Sequence, residues 1–98
     1  MTRLDTDFQD ENAVPYFLWD DPMTVRELRE RLRTVSEPER VRLMGIILRE
    51  ARDTDVWAWV SLEEVLRCWP QLRRHLGRRL AFWEFLLSRW RQQGLVHD

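Results

Sequence analysis

Three times in this chain a hydroxyl residue is followed three positions later by Glu and then by apolar residues at helical intervals. The sites are Thr24-Val25-Arg26-Glu27, Ser36-Glu37-Pro38-Glu39 and Ser61-Leu62-Glu63-Glu64. This is the spacing of a capping box, in which the hydroxyl accepts from the N3 backbone N–H and the Glu carboxylate reaches back to the cap N–H. Three such starts commit most of the chain to helix. Val25, Leu28, Leu32 and Val35 give a short amphipathic first helix. Val41, Met44, Ile47, Leu48 and Ala51, widened by Leu43 and Ile46, predict a central helix ending near Asp53, with Pro38 tolerated in its first turn. The third start predicts a helix with Leu62, Val65, Leu66 and Trp69 inward. Pro70 breaks or restarts it, and at most a turn of helix then runs to Gly77. Leu80 to Gln93 reads as the strongest helix, with Leu80, Phe82, Trp83, Leu86, Leu87 and Trp90 around much of its circumference and Gly94 as its stop.

Two segments resist this pattern. Val56-Trp57-Ala58-Trp59-Val60 is β-branched and aromatic with alternating faces, which predicts a short strand able to pair with Leu95-Val96. The resulting fold class is mainly α: a small helical domain resembling a winged helix-turn-helix with a short two-stranded β element. The other segment, Pro15-Tyr16-Phe17-Leu18-Trp19-Asp20, is extended, bounded by prolines and rich in large side chains. Its apolar residues either fold back onto the helices or dock a partner, since exposed aromatic clusters mark interfaces. Residues 1–14 are polar and acidic without periodicity and are expected as a mobile tail, leaving 15–98 as the single domain.

Charge and composition narrow the function classes. The formal charge of −1 argues against a general polycation for nucleic acid or membrane. All 16 basic residues are Arg, and they are unevenly placed: residues 1–22 carry six acids and one Arg, whereas residues 71–91 carry six Arg and one Glu. Arg73, Arg74, Arg78 and Arg79 surround the turn before the last helix and form the candidate nucleic-acid site of an alternative reading, a winged-helix DNA-binding regulator. That helix opens Leu80-Ala81-Phe82-Trp83, which offers base edges almost no hydrogen-bonding groups.

No catalytic residue, metal site or cofactor site is expected. His75 and His97 lack a ligand partner at metal spacing, the three glycines form no phosphate loop, and Ser36 and Ser61 are explained as caps. Asp53 and Asp55 supply too few ligands for a divalent ion. Cys68 reads as an inert core thiol in a reducing cytoplasm. No apolar run approaches the ~18 residues of a membrane span, and the polar, acidic start is unlike a signal peptide.

The combination of Tyr16-Phe17-Leu18-Trp19-Asp20, Leu48-Arg49-Glu50-Ala51-Arg52, Asp55-Val56-Trp57 and Ser61-Leu62-Glu63-Glu64-Val65 resembles a group of small bacterial proteins. These are encoded beside nucleotidyltransferase toxins of the abortive-infection class, a phage-defence setting. The resemblance covers about Pro15 to Trp69, and this chain departs from the pattern at Ala58, where relatives carry a basic residue. It implies a non-enzymatic antitoxin of a toxin–antitoxin system that binds and neutralises a cognate nucleotidyltransferase. Tyr16, Phe17, Leu18, Trp19, Asp20 and Trp57 are then its partner-binding residues, with residues 1–14 as a polyanion mimic.

Overall fold

The computed structural model describes residues 7–94. They form six α-helices and two 3₁₀ turns, with no strand among the described residues. The helices are α1 (Val25–Thr34), α2 (Glu37–Glu50), α3 (Asp53–Val56), α4 (Leu62–Arg67), α5 (Trp69–Leu72) and α6 (Leu80–Gln92). The 3₁₀ turns, Arg73–His75 and Gly77–Arg79, link α5 to α6.

Two of the three capping boxes form. Thr24 and Ser61 each accept from the N3 backbone N–H while Glu27 and Glu64 accept from the cap N–H, starting α1 and α4. Ser36 makes no side-chain cap. Its Glu39 is drawn instead to Arg42, one turn along α2, and to Arg31 of α1, at 2.7 and 2.8 Å. Bonds to two guanidiniums replace the single bond the carboxylate would accept from the Ser36 N–H, and they take Glu39 down to about 2, Arg42 contributing most.

α2 is the central element, packed against α1, α3, α5 and both 3₁₀ turns. Val41, Leu43, Met44, Ile47 and Leu48 are buried on it, which is why its apolar positions wrap so far around the helix. Arg40 of α2 pairs with Glu64, tying α4 to the same frame. Gly45 lets the chain approach closely: a Cβ there would lie 2.4 Å from His75 Cβ. Cys68 is buried, as its apolar position predicts.

The C-terminal end of α2 is closed by side chains from far along the chain. A helix leaves its last carbonyls without intrahelical partners. Here the buried Trp83 Nε1–H of α6 donates to Leu48 O at 2.9 Å, and an Arg79 guanidinium donates to Ala51 O at 3.4 Å. The next N–H, that of Arg52, donates to the Tyr16 hydroxyl at 2.7 Å. Three elements therefore converge on one helix end.

The expected strand at Val56–Val60 is not formed. Val56 ends the one-turn helix α3, and the Ala58, Trp59 and Val60 N–H groups donate to Asp55 O and Val56 O in successive turns. Residues 57 and 59 would share a face in a strand, yet they enter different clusters. Trp57 meets Trp83 and Trp90 with ring centroids 5.8 and 6.0 Å apart. Trp59 meets Phe8 and Phe17 at 5.2 and 6.0 Å. Tertiary packing of two large rings in diverging directions overrides the local β preference. The proposed partner strand, Leu95-Val96, lies outside the described residues.

Residues 7–14 are seated on the domain rather than standing apart from it. Val25 N–H donates to Ala13 O and Arg26 N–H to Glu11 O, at 2.8 and 3.1 Å. These bonds satisfy two donors of the first turn of α1, and Phe8 packs edge-on to Trp59. No helix of the described residues is long and apolar enough to cross a membrane.

Candidate partner-docking site

The Tyr16–Asp20 strip divides between core and surface. Phe17 and Leu18 are each 1% exposed and belong to the main core, so their assignment as partner contacts is corrected: burying them is what fixes the strip to the fold. Tyr16 is half-buried and hydrogen-bonded on both sides, to Asp55 Oδ2 and Arg52 N. Trp19 is 69% exposed, and Asp20 is exposed beside it. The reversal within two residues follows from the turn that begins at Pro15, where Leu18 N–H donates to Pro15 O at 3.0 Å. Phe17 and Leu18 are thereby aimed inward, and the chain has turned before Trp19.

Trp19 forms one wall of a groove of about 390 Å³ whose floor is Phe17, Leu18 and Ile46 and whose rim carries Asp20, Asp21, Arg42, Arg49, Glu50 and His75. The rim cations are engaged internally. Arg42 is held by both Glu39 oxygens at 2.7 Å and by Asp21 at 3.4 Å, and these carboxylates raise its pKa further, Glu39 most. Arg49 pairs with Glu50 at 2.9 Å and donates to His75 O at 3.0 Å. The same pairs occupy Asp21 and Glu50, so the groove shows an incoming group the Trp19 face and the exposed Asp20 carboxylate. That chemistry fits a basic side chain, through cation–π contact with Trp19 and ion pairing at Asp20. Trp19 Nε1 lies 3.4 Å from Glu50 Oε1, a long contact that fixes the indole loosely.

Trp57 is not part of this groove. It is 38% exposed and sits between Trp83 and Trp90 on the α6 side. The four turn arginines also separate. Arg73 is paired with Glu84 at 3.0 Å, and Arg79 caps α2 and lies 4.8 Å over the Phe82 ring. Arg74 and Arg78 are exposed.

Sequence reading missed Arg42, Ile46, Arg49, Glu50 and His75 as groove residues. Arg42, Ile46, Arg49 and Glu50 do fall at i, i+4, i+7 and i+8, one face of α2, so the stripe itself was visible. What covers that face is set by long-range packing. Among the described residues there is no cluster of three or more His, Cys, Asp or Glu able to hold a metal ion. Comparison with known proteins finds no family model, no curated protein and no solved structure that matches this chain.

Proposed function

We propose that this chain is a non-catalytic, antitoxin-like protein of the bacterial cytoplasm that binds a cognate nucleotidyltransferase toxin and neutralises it. The observation that carries the reading is Trp19, 69% exposed beside the exposed Asp20 while its neighbours Phe17 and Leu18 are buried. A folded chain that leaves a Trp in water next to the exposed Asp20 presents the combination a basic cleft would bind. A nucleotidyltransferase needs such a cleft, since it must hold a polyanionic nucleotide and RNA. The resemblance of the Tyr16–Asp20, Leu48–Arg52 and Asp55–Trp57 segments to antitoxin-type proteins points the same way.

The test is co-expression with a nucleotidyltransferase encoded beside this chain, read as growth rescue. Removing a buried aromatic anchor commonly costs 2 kcal/mol or more of binding, so Trp19→Ala should weaken the complex by about thirtyfold or more. If Trp19→Ala rescues growth as well as the parent, or if no nucleotidyltransferase adjoins the gene, the reading falls.

A second reading, a winged-helix regulator that binds duplex DNA, is favoured by one observation, the exposure of Arg74 and Arg78 ahead of α6. It places a helix that begins Leu80-Ala81-Phe82-Trp83 in the major groove, and the Val56–Val60 strand that its wing would need is not formed.

A further inference from the structure

The outward face of α6 holds apolar surface that the fold does not use. Trp83 and Leu87 are the buried residues of this helix, with Leu80, Leu86 and Trp90 half-buried beside them. Phe82 and Phe85 point away from that side and are 36% and 56% exposed. Phe82, Phe85 and Arg89 recur at i, i+3 and i+7, so they form one stripe along α6, and Arg78 lies in the 3₁₀ turn that leads into it. Each ring has a guanidinium against it: Arg79 lies 4.8 Å from the centroid of Phe82 and Arg89 5.7 Å from that of Phe85. The only acid between residues 71 and 91 is Glu84, and Arg73 neutralises it at 3.0 Å.

We propose that the Arg78–Phe82–Phe85–Arg89 stripe binds single-stranded nucleic acid, with unpaired bases stacking on the two rings and phosphates meeting Arg78 and Arg89. Exposed rings interleaved with arginines are the elements of a sequence-tolerant stacking platform, because every base has a π-face and every nucleotide a phosphate. A duplex keeps its bases stacked on one another and could use only the arginines. A second copy of this chain docked on the same face would bring Arg78 and Arg89 against their own counterparts, a like-charge arrangement that opposes association. The stripe is separate from the Trp19 groove, so the inference does not rest on antitoxin activity.

Fluorescence polarisation of a short labelled oligouridine, compared with its duplex form, tests this. Single-stranded RNA should bind more tightly than duplex at low salt, with affinity falling by a log–log slope of about −0.7 per phosphate contacted. Phe85→Ala should weaken binding about tenfold, and Arg89→Glu should weaken it and flatten the salt slope. Trp19→Ala should leave it unchanged, and circular dichroism of these surface variants should match the parent. The proposal is overturned by no binding at low salt, or by duplex binding as tight as single strand and indifferent to Phe85→Ala. It is equally overturned if sedimentation shows self-association that Phe85→Ala abolishes, which would make the stripe a protein interface.

Discussion

The Tyr16 hydroxyl donates to Asp55 Oδ2 at 2.7 Å and accepts from the Arg52 N–H at 2.7 Å, joining the turn that begins at Pro15 to the junction of α2 and α3. Arg52 also lies over the Tyr16 ring, 5.3 Å from its centroid. One phenol therefore serves the donor left over at a helix end and the carboxylate of the next helix.

This arrangement predicts an alkaline transition. The Tyr16 pKa is pushed up to about 12 from its ordinary 10.0, first by burial, which disfavours phenolate, and then by the proton it gives to Asp55. A raised folded pKa means that native structure favours the protonated form. The associated stability is therefore complete below pH 10 and is lost as pH rises towards about 12. Tyr16 is the only tyrosine, so its ultraviolet titration should show a midpoint near 12 in the native protein and near 10 in denaturant. Tyr16→Phe should cost about 0.5–1.5 kcal/mol at neutral pH, measured by urea unfolding, because it removes the bond from the Arg52 N–H and one of the two bonds that Asp55 Oδ2 accepts, the other coming from Arg52 Nε.

Trp83 should be the residue on which α6 depends most. Trp83→Phe removes the donor to Leu48 O and shrinks a fully buried ring. An unsatisfied buried carbonyl together with lost volume predicts about 2–4 kcal/mol of destabilisation in the same unfolding assay. Hydrogen exchange along residues 80–92 should accelerate with it, because the other buried side chain of this helix is Leu87.

Gly45→Ala sets two effects against each other. Alanine favours a helix interior by about 1 kcal/mol over glycine. The new Cβ, however, would stand 2.4 Å from His75 Cβ, and the obstacle is the root of that side chain, which cannot swing away. Overpacking of this kind costs about 1–3 kcal/mol, so the melting temperature should fall where propensity alone predicts a rise.

Phe17→Ala and Trp19→Ala should separate folding from docking. Emptying a core site of Phe costs about 3–5 kcal/mol, a large share of the stability of a small domain. Trp19 is mostly in water, and its replacement should change stability by no more than about 0.5 kcal/mol. Thermal melts of the two variants should therefore diverge widely. Equal, large losses would show that the indole belongs to the fold.

The helices were legible in the residues because their signals are local. Thr24 with Glu27 and Ser61 with Glu64 bond within one turn, and the apolar recurrences of α1, α2 and α6 reflect a period the backbone itself imposes. Gly77 and Gly94 stop helices where their φ of 52° and 75° places them in the left-handed region, a preference carried by the missing Cβ.

What the sequence could not decide was every outcome in which a local preference competes with a distant partner. The Ser36 box lacks its reciprocal half because Arg31 and Arg42 hold the Glu39 carboxylate. Val56–Val60 forgoes a strand because Trp57 and Trp59 are claimed by α6 and by the N-terminal aromatics. The strip at Tyr16–Asp20 announced large side chains in an irregular segment. Which of them would be buried depended on where the turn after Pro15 meets α2, and that is settled by packing among residues more than thirty positions apart, such as Tyr16 with Asp55 and Trp83 with Leu48.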